Sequence, residues 1–535
     1  MRRDLRQVAA CAAMAFCGCD PGGDRARTGG PTPWTTSSTP TRCASPRTPR
    51  TASSTSISTR RSRPRSPPSR PGPARCATPR PPSAAVSPDA AGAGPRAPAR
   101  PRRFAPPRRL AARRARARRR ASQGSRPMPE DFYRIKRLPP YVFAEVNRLK
   151  AEHRAAGVDV IDFGMGNPDS DTPAHIVDKL VETVRKPRTH RYSASKGIPG
   201  LRRAQAGYYA RRFGVTLDPE TEVVATLGSK EGLANLAMAI TAPGDVILSP
   251  NPSYPIHPYG FMIAGAALRH IPAIEDGRFD PEAYLRALDR AVRHSVPEPS
   301  AIIVNFPSNP TAQVCDLDFY RDLVAFARAH GIWILSDLAY AEIYFDDAPP
   351  PSILQVEGAK ECAVEFTSLS KTYSMPGWRM GFAVGNHRLI GALSRIKSYL
   401  DYGAFTPVQV AAAAALNGPQ DCVGEIRALY KSRRDVLVEA MGQAGWRIPA
   451  PPATMFAWAP VPAPFAHLGS MGFAKLLIAE AGVAVAPGVG FGEYGEGWVR
   501  IGLVENEQRI RQAARNVKKL LAQADRFAAP KEAAE

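Results

Sequence analysis

The stretch Ile332-Trp333-Ile334-Leu335-Ser336-Asp337-Leu338-Ala339-Tyr340 decides the fold. Its apolar run reads as a buried strand that delivers an acid and a phenol to its carboxyl end. In an open α/β sheet that end is where chemistry is expected. Outward from it, short apolar runs at residues 223–227, 245–249, 301–305, 333–336, 364–368 and 380–384 alternate with helical stretches between about 175 and 425. That alternation predicts a mostly parallel, doubly wound sheet. A long helical region near 419–445 follows. Residues 446–458 and 482–503 then read as strands of a smaller C-terminal α+β domain, completed by a helix over 507–524. The expected organisation is an extension over 1–127, an arm over 128–174 packing with the small domain, a large domain over 175–425 and the small domain over 426–535.

Ser368-Leu369-Ser370-Lys371, with Arg379 eight positions on in Pro376-Gly377-Trp378-Arg379-Met380-Gly381, packs hydroxyls, an amine and a guanidinium into one short stretch. An amine that condenses with an aldehyde must be near neutral, and an anionic partner needs donors such as these. A lysine ordinarily titrates at about 10.4, so a partly desolvated, cationic site has to lower it. That is the chemistry of pyridoxal 5'-phosphate, whose pyridine nitrogen needs a buried carboxylate and whose ring needs a face to stack on. An acid and a phenol stand at Asp337 and Tyr340. For the phosphate, Val223-Val224-Ala225-Thr226-Leu227-Gly228-Ser229 reads as a strand, a Gly turn and a Ser N-cap opening a helix over about 230–240. A helix start offers free amides and positive potential to an anion. Asn251-Pro252-Ser253-Tyr254-Pro255 and Asn305-Phe306-Pro307-Ser308-Asn309-Pro310 each read as a proline-stiffened loop after a strand. In Trp498-Val499-Arg500-Ile501-Gly502, apolar neighbours place Arg500 on the opposite face of a strand.

Gly228-Ser229-Lys230, Pro252-Ser253-Tyr254, Asn309-Pro310, Asp337-Leu338-Ala339-Tyr340 and Ser368-Leu369-Ser370-Lys371 together resemble the fold-type I pyridoxal-phosphate aminotransferases of class I/II, over nearly all of residues 128–535. The opening from Tyr133 to Phe143 and Gly164-Met165-Gly166-Asn167-Pro168-Asp169 are most similar to the bacterial glutamate–pyruvate (alanine) aminotransferases, whose relatives are often labelled LL-diaminopimelate aminotransferases. The resemblance implies that Lys371 is the Schiff-base lysine and proton shuttle and that Asp337, supported by His257, partners the pyridine nitrogen. It makes Asn309 and Tyr340 donors to the cofactor's phenolic oxygen, with Tyr254 stacking on the ring. Ser229, neighbouring amides including that of Lys230, Ser368, Ser370 and Arg379 would hold the phosphate. Tyr192 would reach over from the second subunit of a homodimer with shared active sites. Arg500 would grip the substrate α-carboxylate as a two-pronged fork, with the Gly166 backbone and Asn309 nearby. The implied reaction moves an amino group from an L-amino acid to a 2-oxo acid in two half-reactions, with alanine and 2-oxoglutarate ranked first and LL-diaminopimelate second. Glutamate needs a second cation for its distal carboxylate; no motif marks one, and Arg137 and Lys196 are candidates only by their place in loops. A β-lyase, a cyclopropane-acid synthase or a decarboxylase would use the same lysine and aspartate. A pyridoxal-phosphate-binding transcriptional regulator would need amphipathic helices for DNA that the N-terminal stretch lacks.

The formal charge of +24 is not spread along the chain. Of 72 Lys and Arg and 48 Asp and Glu, 28 Arg and 4 Asp fall in residues 1–127, so the remainder carries 44 of each sign. The high isoelectric point therefore says nothing about nucleic acid in the enzyme body. Residues 1–127 contain no Lys or Glu and no apolar periodicity, and runs such as Arg113-Arg114-Ala115-Arg116-Ala117-Arg118-Arg119-Arg120 cannot bury a core. Such a composition is what out-of-frame GC-rich DNA yields when translated, and Met128 stands just before the resemblance begins. Two other readings of the extension stay open: a short secretory signal around residues 2–19, and a disordered basic arm for nucleic acid or an acidic membrane surface. Five of the eight cysteines lie there, leaving Cys315, Cys362 and Cys422 without disulfide or metal-site spacing. No metal, nucleic-acid or membrane partner is expected of the body, and a thiol-poor, neutral domain suits a reducing cytoplasm. We expect translation to begin at or near Met128; mass spectrometry of the native protein should find no peptide from residues 1–120, and finding one refutes this.

Overall fold

The computed structural model describes residues 132–140 and 142–527. The expectations for residues 1–127 lie outside the described residues. After a short strand β1 (Ile161–Asp162), seven strands form the main sheet: β2 (Val223–Thr226), β3 (Val246–Asn251), β4 (Ala267–Pro272), β5 (Pro299–Val304), β6 (Trp333–Asp337), β7 (Ala363–Ser368) and β8 (Gly381–Gly385). Their order is β2-β8-β7-β6-β5-β3-β4. The run from β4 to β7 is parallel, and β8 is antiparallel to both its neighbours. Every residue of β2, β3, β7 and β8 is buried, as expected where helices cover both faces of a sheet. One face packs on a core including Tyr209, Leu323 and Phe382, the other on one including Leu236, Phe261 and Phe366.

The six strands predicted from apolar runs are present, with ends shifted by a residue or two. The edge strand β4 was not predicted, because Ala267-Leu268-Arg269-His270-Ile271-Pro272 mixes charge into an exposed edge. A second, antiparallel sheet comprises β9 (Phe456–Pro460), β11 (Ala486–Pro487) and β12 (Trp498–Gly502), while β10 (Val483–Ala484) pairs with β1. The expected strand over 446–458 forms only from Phe456 onward. Pro449, Pro451 and Pro452 cannot donate to a ladder and hold the preceding segment irregular. This second sheet has its own core around Trp446, Phe473, Leu477 and Ile501. The helix Phe143–Ala155 packs Val146 with Val160, Ile478 and Ala484, so the N-terminal segment lies on that side.

Because β3, β5, β6 and β7 run parallel, their carboxyl ends emerge on one edge, bringing Asn251, Asn305, Asp337 and Ser368 into one region. Beneath that edge lies Glu365 of β7, fully buried. It accepts from Tyr209 Oη at 2.9 Å, Ser336 Oγ at 2.9 Å, the Ile353 amide at 3.2 Å and Ser352 Oγ. It therefore ties a covering helix and the 352–353 turn to the two strands that carry Asp337 and Ser368. Burial raises its pKa above the ordinary 4.5, so in the pH window between the ordinary and the raised value the folded state holds a proton that the unfolded state releases, and the ionised carboxylate is the costly form. Glu365→Ala should destabilise by on the order of 3 kcal/mol by orphaning several buried donors. The stability gap between Glu365→Gln and wild type should shift in favour of the variant as pH rises from the ordinary glutamate range through the raised pKa. Thermal denaturation across pH checks both.

Candidate active site

At the carboxyl edge of β5, β6 and β7 lies a cavity of about 430 Å³ reached by residues from both sheets. Asp337 ends β6 only 5 % exposed. His257 Nε2, fully buried on the helix Ile256–Ala264, stands 2.9 Å from Asp337 Oδ2. The other oxygen, Oδ1, is buried with no hydrogen-bond partner among the described residues. Asn305 fixes the neighbouring strands to each other: its Nδ2 donates to the Asp337 carbonyl at 2.7 Å and its Oδ1 accepts from the Asn309 amide at 2.9 Å.

Lys371 sits in the one-turn helix Leu369–Thr372, which Ser368 caps by accepting from the Ser370 amide at 3.2 Å. Its Nζ donates to the Gly166 carbonyl at 3.0 Å. Burial first, then the positive charges of Arg500 and Arg379, lower its pKa from 10.5 to about 8. The site thus makes a usable base of an ordinary lysine.

Across the cavity, the turn after β2 differs from the expected Ser cap. Gly228 is the cap residue, at φ +86°, and Ser229 is the first residue of the helix Ser229–Ile240. A capping Ser would spend its hydroxyl on the helix's own amides. Here Ser229 Oγ is buried with no partner among the described residues, and it lines the cavity. Glycine suits this positive φ, and a Cβ there would fall 2.3 Å from an Arg379 nitrogen and displace the guanidinium from the turn. Arg379 itself adopts φ +52° and donates to the Pro376 carbonyl at 2.8 Å and the Leu227 carbonyl at 3.1 Å. That strained conformation holds the guanidinium beside the turn. A bare buried hydroxyl, a helix start and a guanidinium fit a phosphate, and the bare Asp337 oxygen fits a protonated ring nitrogen. The residues present therefore fit pyridoxal phosphate.

Arg500 reaches in from β12, buried. Its Nη1 donates to Asn309 Oδ1 at 2.8 Å and its Nη2 to the Gly164 carbonyl at 3.2 Å. Phe456 and Phe491 hold the guanidinium between them, with ring centroids 4.1 and 4.7 Å away. Gly166 admits that arrangement, because a Cβ there would lie 2.7 Å from the Phe456 ring. The 166–169 loop is fastened from behind by a two-pronged ion pair, Arg433 to Asp169, at 2.7 Å in both contacts. Tyr340 is buried against Phe456, and burial pushes its phenol well above the usual tyrosine range. Tyr254 also lines the cavity, with Lys230 Nζ 5.8 Å from its ring centroid.

Of the residues singled out in the sequence, Lys371, Asp337, Tyr340, Asn309, Tyr254, Ser229, Lys230, Ser368, Ser370, Arg379, Arg500 and Gly166 all line this cavity, and His257 stands behind Asp337. Tyr192 does not line it: it is 86 % exposed, with its ring 4.6 Å from that of Tyr402. Arg137 and Lys196 do not line it either. Arg137 donates to the Ala266 carbonyl at 2.8 Å, and Lys196 pairs with Glu220 at 3.1 Å. Sequence reasoning missed Phe143, Phe456 and Phe491 as cavity walls, because a lone phenylalanine in an apolar run carries no local sign of lining a site. Among the described residues no group of His, Cys, Asp and Glu is arranged to hold a metal ion, and no helix is long and apolar enough to cross a membrane.

The model of the family "Aminotransferase class I and II" matches residues 158–517. The chain is 68 % identical to the putative aminotransferase AatC of Rhizobium meliloti, over 74 % of this chain and 96 % of the relative. It is 54 % identical to the glutamate-pyruvate aminotransferase AlaC of Escherichia coli, over 72 % and 93 %. It is 46 % identical to an LL-diaminopimelate aminotransferase of Desulforudis audaxviator, over 71 % and 95 %. Among solved structures, substrate-bound BacF of Bacillus subtilis superposes with a TM-score of 0.68 at 36 % identity, covering 74 % of this chain and 98 % of its own. The bare acceptors around Lys371 and the extent of these matches lead to one conclusion: the chain belongs to the class I and II aminotransferases, and is a pyridoxal-phosphate-dependent enzyme that exchanges amino groups between amino acids and 2-oxo acids.

Proposed function

We propose that this aminotransferase works on L-alanine and 2-oxoglutarate, as the name of its Escherichia coli relative suggests. The observation that carries the reading is the charge of the cavity wall. Asp337 is the one carboxylate among the described lining residues, and it is engaged by His257. No second carboxylate in that lining would pair the distal ammonium of diaminopimelate. A methyl side chain needs only the apolar walls of Phe143, Phe456 and Phe491. For the distal carboxylate of glutamate, Lys230 lines the cavity, which Arg137 and Lys196 do not.

When bound, pyridoxal phosphate supplies the carbonyl that takes the amino group and the ring that accepts electrons. Ser229, the amide of Lys230, Ser368, Ser370 and Arg379 would hold its phosphate, Asn309 and Tyr340 its phenolic oxygen, and Tyr254 its ring face. Asp337, kept in place by His257, would hold the proton on the ring nitrogen. Arg500 would orient the substrate through its carboxylate, so that the Cα hydrogen faces Lys371. The lysine, neutral above about pH 8, would take that proton and return it in the reverse half-reaction. The reading extends to a cytoplasmic homodimer in which exposed Tyr192 is presented to the other copy's cavity. Its exposed neighbours Tyr399, Leu400, Tyr402 and Phe405 support an apolar contact there.

Four outcomes are expected. Residues 128–535 loaded with cofactor should lose the visible band of the lysine-bound form with L-alanine and with L-glutamate but not with LL-diaminopimelate; conversion by diaminopimelate with alanine inert would reverse the assignment. Lys371→Ala should abolish turnover while still binding cofactor reversibly. In wild type, capture of cofactor by the apoenzyme should accelerate through pH 8 rather than pH 10.5, followed by stopped-flow absorbance. Arg500→Lys should raise the KM for both amino acids by on the order of 10–100-fold through loss of the fork, as initial rates would report.

A further inference from the structure

Lys397, on the helix His387–Leu400, is 0 % exposed and does not line the active-site cavity. Its Nζ donates to Glu231 Oε1 at 2.9 Å and to Asp401 Oδ2 at 2.8 Å. Each carboxylate is committed on its far side to a different segment. Glu231 Oε2 accepts from the Leu227 amide at 2.8 Å. The carbonyl of that same Leu227 accepts from Arg379, so residue 227 is gripped from both ends directly before Gly228 and Ser229. Asp401 Oδ1 accepts from the Gly403 amide at 2.6 Å, and the Asp401 carbonyl accepts from Ser195 Oγ at 2.6 Å. These contacts set the segment bearing Tyr402 against the one bearing Tyr192, whose rings meet at 4.6 Å. Gln409 braces the same corner through the Ser193 hydroxyl at 2.9 Å and the Ile198 amide at 2.8 Å.

A desolvated lysine between two carboxylates is costly unless its geometry is held, and removing it leaves two like charges facing each other. Relief would come by parting them, which moves the Leu227 turn at one end and the Tyr192–Tyr402 corner at the other. We propose that Lys397 is a positioning residue that links the turn at residues 227–229 to the Tyr192–Tyr402 corner, so that cofactor binding and pairing with a second copy strengthen each other. The inference rests on the cofactor and dimer readings above. Linkage is reciprocal: if cofactor tightens the dimer by some factor, dimer formation tightens cofactor binding by the same factor.

The test measures the dimer dissociation constant by sedimentation, with and without pyridoxal phosphate, and cofactor affinity by absorbance titration above and below that constant. Wild type should show mutual tightening on the order of tenfold or more. Lys397→Met should bind cofactor more weakly and lose the linkage. Asp401→Asn removes the charge on the corner side only and keeps a polar side chain, so it serves should Lys397→Met fail to fold. It should retain the cofactor affinity of the separated chain within about twofold while the mutual tightening disappears. Full linkage in a folded Lys397→Met, or in Asp401→Asn, overturns the proposal, because a merely structural ion pair would lower the melting temperature and leave the linkage intact. A dimeric, cofactor-binding wild type without linkage overturns it too, while leaving the function stated above standing. A wild type that stays monomeric refutes the dimer reading and this inference with it.

Discussion

A carboxylate with one oxygen held and the other bare, at the end of a buried strand, is the constraint around which this structure is arranged. Asp337 can occupy that position because β6 lies inside a parallel sheet covered on both faces, and because His257 stands 2.9 Å from its rear oxygen. The neighbouring contacts serve the same end. Asn305 binds the Asp337 carbonyl to the following loop, and Glu365 holds the strand from below through Ser336.

The second requirement is that two separately cored sheets meet over one cavity. Arg500 comes from the antiparallel sheet, yet its donors reach Asn309 on the β5 loop and the Gly164 carbonyl. Phe456 and Phe491 fix the plane of the guanidinium while excluding water from its faces. The same positive charge, together with that of Arg379, helps keep the Lys371 amine near neutrality. Burial is the larger cause of that shift, so the guanidinium that the proposed function assigns to the substrate carboxylate adds to an activation that desolvation begins.

Buried polar groups support each part of this arrangement. Glu365, Lys397 and the Arg433–Asp169 pair each tie three or more segments, and since Glu365, Lys397 and Arg433 are themselves buried, leaving any of them unpaired is penalised heavily. Such ties favour one arrangement of the loops over many, which a site needing several groups aimed at one volume requires.

Much of the fold was legible because buried parallel strands leave continuous apolar runs, and six of those runs became strands of the main sheet. The edge strand β4 left no such run, since one of its sides meets solvent. The residue types of the site were legible too, because an amine, a strand-terminal acid and a bracketed arginine are local patterns. Ser229 shows the limit: sequence predicted a cap, whereas backbone geometry moved that role to Gly228 and left the hydroxyl bare toward the cavity. By itself the sequence determined the sheet class, the cofactor chemistry and the identity of most cavity-lining polar groups, since short-range pattern and side-chain chemistry are written in neighbouring residues. Only the tertiary structure decided the aromatic clamp on Arg500, the exclusion of Arg137 and Lys196 from the cavity, and the buried bridge through Lys397. Each of these depends on which distant segments share a volume, and that is set by packing rather than by any local preference.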